Sequence, residues 1–188
     1  MLQSVIVKVI SRHPIEALVR IIGVFVCLLI MVLPRTYAET TQQPTKIASS
    51  GETAIANHSR KFSVQVRITT HEVQIGKPSD KPPDIITSSC TYSRFPCSVV
   101  DLVIISVNGK PIDVPRSAFC SLADLNEADL RVGQKEAVLT LSAGDASESY
   151  SLRIRFNRER VTGLSLFDGE SGKKFQETTY YKVVVGDE

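Results

Sequence analysis

Four arginines recur over a short stretch, Arg153, Arg155, Arg158 and Arg160. Guanidinium groups present a planar fork of donors that matches carboxylate and phosphate oxygens. A strip of them suits an anionic glycan, a phosphate or an acidic protein surface. The plainer reading is an exposed sheet face whose charges discourage aggregation and pair with glutamates on neighbouring strands.

Cys90, Cys97 and Cys120 follow the N-terminal apolar region, and an odd count leaves one thiol over. Cys90 and Cys97 enclose TYSRFP, a loop that closes without long-range folding, and are the favoured disulfide. Pairings through Cys120 stay open on spacing alone. No CxxC or HxxxH spacing accompanies them, so neither a metal nor any other cofactor is expected. Cys120 lies beside Phe119 and Leu122 and is expected to be buried and inert.

Residues for hydrolytic chemistry are sparse. His58 and His71 are the histidines beyond the N-terminal region, and no G-x-S-x-G elbow supplies a nucleophile. A hydrolase would need His71, an acid and a serine or Tyr180 to converge in three dimensions. Asp145, Ser147 and Glu148 offer oxygens at a turn, but the full calcium-loop pattern is missing. Ser171-Gly172-Lys173-Lys174 matches S-x-x-K by letter, yet it lies between two strand-like runs rather than at a helix start.

The elements that must position these residues are strands. SESYSLRIRFN (147–157) alternates, with Tyr150, Leu152, Ile154 and Phe156 on one face and Arg153 and Arg155 on the other. Phe62 to Ile75 alternates but slips phase, which predicts a bulge near Thr69 to His71. Val99 to Val107 is apolar on both faces and predicts a central strand covered on both sides. Asn108-Gly109 predicts a two-residue hairpin with an edge strand over 110–114, Pro111 facing Ser106.

Arg116 to Asp129 is the one stretch with helical spacing, through Ala118, Leu122 and Leu125. Strand-like runs at 136–143, 161–167 and 175–185 complete a meander, the last with Tyr181, Val183 and Val185 inward. The sum is an all-β, mainly antiparallel domain: a single β-sandwich or small barrel with a C-terminal meander and one short helix.

The N-terminus reads as an export signal. Lys8, Arg12 and Arg20 precede the apolar run Ile21 to Leu33, and Ala38 offers a small residue for cleavage. That run is short for a membrane span, although a retained anchor is the alternative. The organisation is then a cleaved signal over 1–38, a flexible segment over 39–60 and the sandwich over 61–188. Of 22 basic and 20 acidic residues, Lys8, Arg12, Arg20, Arg35 and Glu16 leave with the signal. The remaining charge is near balance and gives no support to nucleic-acid binding.

These features point to a periplasmic or secreted, non-enzymatic binding module. Its partner is another envelope or extracellular protein or an anionic glycan. A hydrolase whose residues converge only in the fold is the alternative, as is a domain tethered to the membrane by a retained N-terminus. The intact mass of the exported protein should match a chain beginning at Glu39. Alkylation should label one thiol before reduction and three after; a larger mass would favour the anchor, and three thiols before reduction would exclude the disulfide.

Overall fold

The structure is a computed structural model and describes residues 43–60, 62–74, 90–91 and 94–182. The proposed signal and the long connection through residues 75–89 lie outside these residues. Two antiparallel sheets pack face to face on one hydrophobic core.

Ten strands build them: β1 (Thr45–Lys46), β2 (Gly51–His58), β3 (Ser63–Val73), β4 (Cys97–Val107), β5 (Lys110–Pro111), β6 (Leu125–Val132), β7 (Ala137–Ala143), β8 (Tyr150–Phe156), β9 (Val161–Asp168) and β10 (Lys174–Thr179). The six-stranded sheet runs β1-β6-β7-β8-β9-β10, and the four-stranded sheet runs β2-β3-β4-β5.

Alternation explains the core. Leu152, Ile154 and Phe156 of β8 are fully buried beside Leu139 and Leu141 of β7. Val64, Val66 and Ile68 of β3 and Val103, Ile105 and Val107 of β4 face them from the other sheet. Burying each such aliphatic side chain contributes about 1.5–3 kcal/mol.

The hairpin forms as its sequence predicts. Asn108 and Gly109 take φ of 52° and 77°, and Pro111 sits opposite Ser106. Pro111 has no N–H, and this non-hydrogen-bonded position requires none; the next residue, Ile112, donates to Ile105.

Four expectations are corrected. Residues 39–60 were expected to be loose. Instead β1 pairs with β6, and β2 pairs with β3 along its whole length, burying Thr53 and Ile55. Asn57, the acceptor of an apparent glycosylation sequon, donates its amide to the Leu130 carbonyl at 2.6 Å. The weak apolar period of this segment reflects a threonine and an asparagine at the inward positions 53 and 57, with Ala54 and Ala56 facing out.

The expected helix over 116–129 is a single 3-10 turn, Arg116–Ala118, followed by a loop and then β6. Ala128 and Leu130 take inward positions on β6, so alternation overrides the few residues at helical spacing.

β4 is covered on one face only. Leu102 is 43% exposed, and the phase change falls on β4, where Asp101 is the extra residue between the pairs Thr69↔Leu102 and Thr70↔Val100. The predicted bulge is therefore present at its expected place on β3, but the added residue belongs to the partner strand.

Finally, β10 is exposed almost throughout and Tyr181 is 81% exposed, so the inward face expected for Tyr181 does not form. Val183 and Val185 lie outside the described residues.

The chain passes between the sheets at Asp124, which is buried with φ 49°. Its carboxylate accepts from the N–H of Thr91 at 2.7 Å and of Ser98 at 2.9 Å. Its own N–H donates to the Ser98 carbonyl, and its carbonyl accepts from Gly144 N–H. Tyr150 supports the same crossing, its hydroxyl donating to the Ala123 carbonyl and accepting from the Ala123 N–H.

Removing the carboxylate leaves two buried donors unpaired. Asp124→Ala should destabilise the domain by about 3–5 kcal/mol in denaturant unfolding. Asp124→Asn keeps an acceptor and tolerates the positive φ, so it should cost about 1–2 kcal/mol. Equal stability of Asp124→Ala and the parent would remove this residue from its role.

Candidate functional site

The β8–β9 turn brings the chemistry together at one edge of the sandwich. The Asn157 side chain accepts from the N–H groups of Glu159 (2.9 Å) and Arg160 (3.1 Å), which fixes the turn. Beyond β5 the chain runs past this turn. Asp113 donates its N–H to the Glu159 carbonyl, and Val161 N–H donates to the Asp113 carbonyl. This parallel bridge, Asp113↔Arg160, joins the segment following the four-stranded sheet to the six-stranded one. Tyr180 extends the wall, its N–H donating to the Thr162 carbonyl.

The result is a cleft of about 640 Å³ lined by residues from three places in the chain. Lys110, Pro111, Asp113 and Pro115 come from the hairpin and its continuation. Arg158, Glu159 and Arg160 come from the turn, and Tyr180, Tyr181 and Lys182 follow β10. Four basic and two acidic side chains therefore line it, an excess of positive charge in a concave surface.

Two of the cations are held in place. The Arg158 guanidinium lies 5.1 Å from the centre of the buried Phe62 ring, a cation–π contact. Arg160 donates through Nη1 to the Tyr180 carbonyl at 2.8 Å. The Tyr180 hydroxyl lies 3.3 Å from Ser117 Oγ. Lys182 and Glu159 pair loosely at 3.8 Å, both well exposed.

The four arginines of the sequence strip are thus divided. Arg158 and Arg160 enter the cleft, whereas Arg153 and Arg155 lie on the outer face of β8. Arg153 stacks 4.4 Å from the Phe167 ring centre. Arg155 reaches across Gly163, where a Cβ would sit 2.7 Å from its Nη2, to Glu177 Oε1 at 3.1 Å. Lys174 bonds the other oxygen of the same carboxylate.

Nothing in the spacing marked Lys110, Asp113, Tyr181 or Lys182 as members of a site. The adjacent Tyr180-Tyr181-Lys182 was the available signal, and the inward assignment of Tyr181 concealed it.

The remaining candidates stay apart. Cys90 and Cys97 form a disulfide with Cα atoms 5.6 Å apart. Their sulfurs and an Asp124 oxygen lie within 4.8 Å of one another. The sulfurs are bonded to each other and the carboxylate holds two backbone donors, so this cluster is structural. Cys120 is exposed, contrary to the expectation of burial. It sits on the outside of a loop whose inward positions are taken by Phe119 and Leu122.

His71 meets an acid, with Nδ1 2.7 Å from Asp101 Oδ1, but both side chains are about half exposed. Tyr180 bonds Ser117 instead of joining that pair. Asp145 accepts from Ala146 N–H at an exposed one-turn 3-10 helix, Ala146–Glu148. Ser171 donates both its N–H and its hydroxyl to Asp168, which holds that carboxyl below its usual value, the hydroxyl bond contributing most.

No family model matches the chain, and neither a curated protein nor a solved structure shows a significant match to it. Among the described residues no helix is long and apolar enough to cross a membrane.

Glu177 tests the ion pairs that Lys174 and Arg155 make with the edge strand β10. The Lys174 hydrogen bond, then its charge, then Arg155 hold this carboxyl below the usual glutamate value. A depressed folded pKa makes the contribution to β10 present above the unfolded pKa and lost as pH falls through the folded one. The side-chain carboxyl signal in an NMR titration should therefore have a midpoint below that of a free glutamate, and β10 amide protection should decline over the same acid range. An unshifted midpoint would show that neither Lys174 nor Arg155 engages this carboxylate.

Proposed function

We propose that this protein is an exported, non-enzymatic binding module of the cell envelope or extracellular space, and that the cleft at the β8–β9 turn is its contact surface. The observation that carries the reading is the cleft's lining. Cations from three separated segments converge there beside two tyrosines, while the described lining holds no serine, cysteine or histidine. The Asp113 bridge holds the hairpin continuation to the turn, and the Tyr180 N–H and Arg160 bonds hold the segment after β10 there. The basic n-region, the apolar run and the disulfide support export.

The hydrolase alternative has one observation behind it, the His71–Asp101 pair. Its base lies on an open sheet face, whereas general-base and nucleophile pairs operate within hydrogen-bond reach of each other at a shielded site. Binding is the better account of the cleft.

The purified protein should co-sediment with envelopes prepared from its own cells. Exchanging the cleft charges in the Arg158→Glu, Lys182→Glu double variant should weaken this at least tenfold, about 1.4 kcal/mol. Arg153→Glu, on the outer sheet face, should leave it unchanged. Equal binding by the cleft variant, or an equal loss with Arg153→Glu, would overturn the assignment.

A further inference from the structure

We infer that the ligand of the cleft is an acidic oligosaccharide built from uronic acids, an inference that rests on the binding reading above. The lining sets three chemical requirements at once.

Arg158, Arg160, Lys110 and Lys182 call for anionic groups on the ligand. Asp113 stands among them and, when ionised, only accepts hydrogen bonds, while Glu159 is already paired with Lys182 at 3.8 Å. Asp113 calls for a ligand donor close to the ligand's anions. Tyr181, 81% exposed at the rim, and Tyr180 behind it call for a flat face of C–H groups.

A uronic acid carries all three on one ring: a carboxylate, several hydroxyl donors and a C–H face. The competing ligands each fail one requirement. A polyphosphate or nucleic-acid backbone brings dense charge without donors at that spacing, and Asp113 and Glu159 would repel it. A neutral sugar brings no anion to Lys110 and Arg160. An acidic peptide places its carboxylates on flexible stems and offers Tyr181 no rigid face.

Size is consistent. About 640 Å³ lies within the range of roughly 300–1,000 Å³ common to ligand sites and accommodates a short oligomer rather than one sugar. Part of the lining is preformed. Arg160 is bonded to the Tyr180 carbonyl, Tyr180 to Ser117, and Arg158 rests on Phe62. At these residues little side-chain ordering opposes binding.

The test is calorimetric titration of the whole exported protein with trimers of galacturonate, glucuronate and mannuronate, a neutral galactose trimer and tri-glutamate. At least one uronate trimer should bind ten times or more tighter than both the neutral trimer and tri-glutamate, and should weaken as salt rises. Tyr181→Ala and Arg158→Ala should each reduce that affinity about tenfold. Arg153→Ala should not change it.

Tri-glutamate binding as tightly as every uronate would overturn the glycan inference and leave the binding module intact. So would failure of all three uronates while envelope co-sedimentation still depended on Arg158 and Lys182. Loss of that dependence as well would remove both readings. Unfolding transitions of the variants, matched to the parent, exclude misfolding as the cause of any loss.

Discussion

A buried carboxylate carries the chain from one sheet to the other. Asp124 gathers the N–H groups of Thr91 and Ser98, one beside each disulfide cysteine, onto its two oxygens. Its backbone carbonyl also accepts from Arg94 Nη1 at 3.3 Å, and Arg94 Nη2 donates to Asn126 at 2.6 Å. Asn126 in turn donates to the Gly144 carbonyl. A charge taken out of water is costly unless its hydrogen bonds are made. Here they are made to backbone groups that would otherwise be orphaned where β4 begins and β6 has not yet started. The carboxylate and the loop need each other, which is why a polar residue occupies so buried a place.

The opposite edge solves a similar problem with exposed groups. At the β8–β9 turn the two sheets are joined by backbone pairing through Asp113, and charged side chains nearby line the cleft. Rigidity and exposure therefore coincide at the cleft. The outer face of β8 is different in kind. Its arginines are engaged with Phe167 and Glu177, and Lys174, Glu177 and a register shift blunt the β10 edge. Charge of similar density serves recognition at one place and solubility at another, according to what each guanidinium touches.

Much of the sandwich was legible in the chain. Alternation in 147–157, Asn108-Gly109 with Pro111 and the phase slip near Thr69 each encode local geometry, because side-chain period and turn φ are properties of short segments. What was not legible depended on partners distant in sequence. β2 has alanines at 54 and 56 and a weak apolar signal, and becomes a strand because β3 offers a full ladder. Residues 116–129 carry helical spacing, but Ala128 and Leu130 gain more by filling the core from a strand. Leu102 looks like core and is left outward by one inserted residue, Asp101.

For the site, the sequence by itself determined that Arg158 and Arg160 flank a turn and that Cys90 and Cys97 can close a local loop. It also determined an N-terminal region with the marks of an export signal. Only the tertiary structure decided that Arg153 and Arg155 belong elsewhere, that Tyr181 faces solvent, and that Lys110 and Lys182 stand beside the turn. The reason is physical. Spacing along a strand fixes which face a side chain takes, whereas membership of a cleft depends on which strands end together in space. That is set by the packing of two whole sheets and by the Asp113 bridge between them.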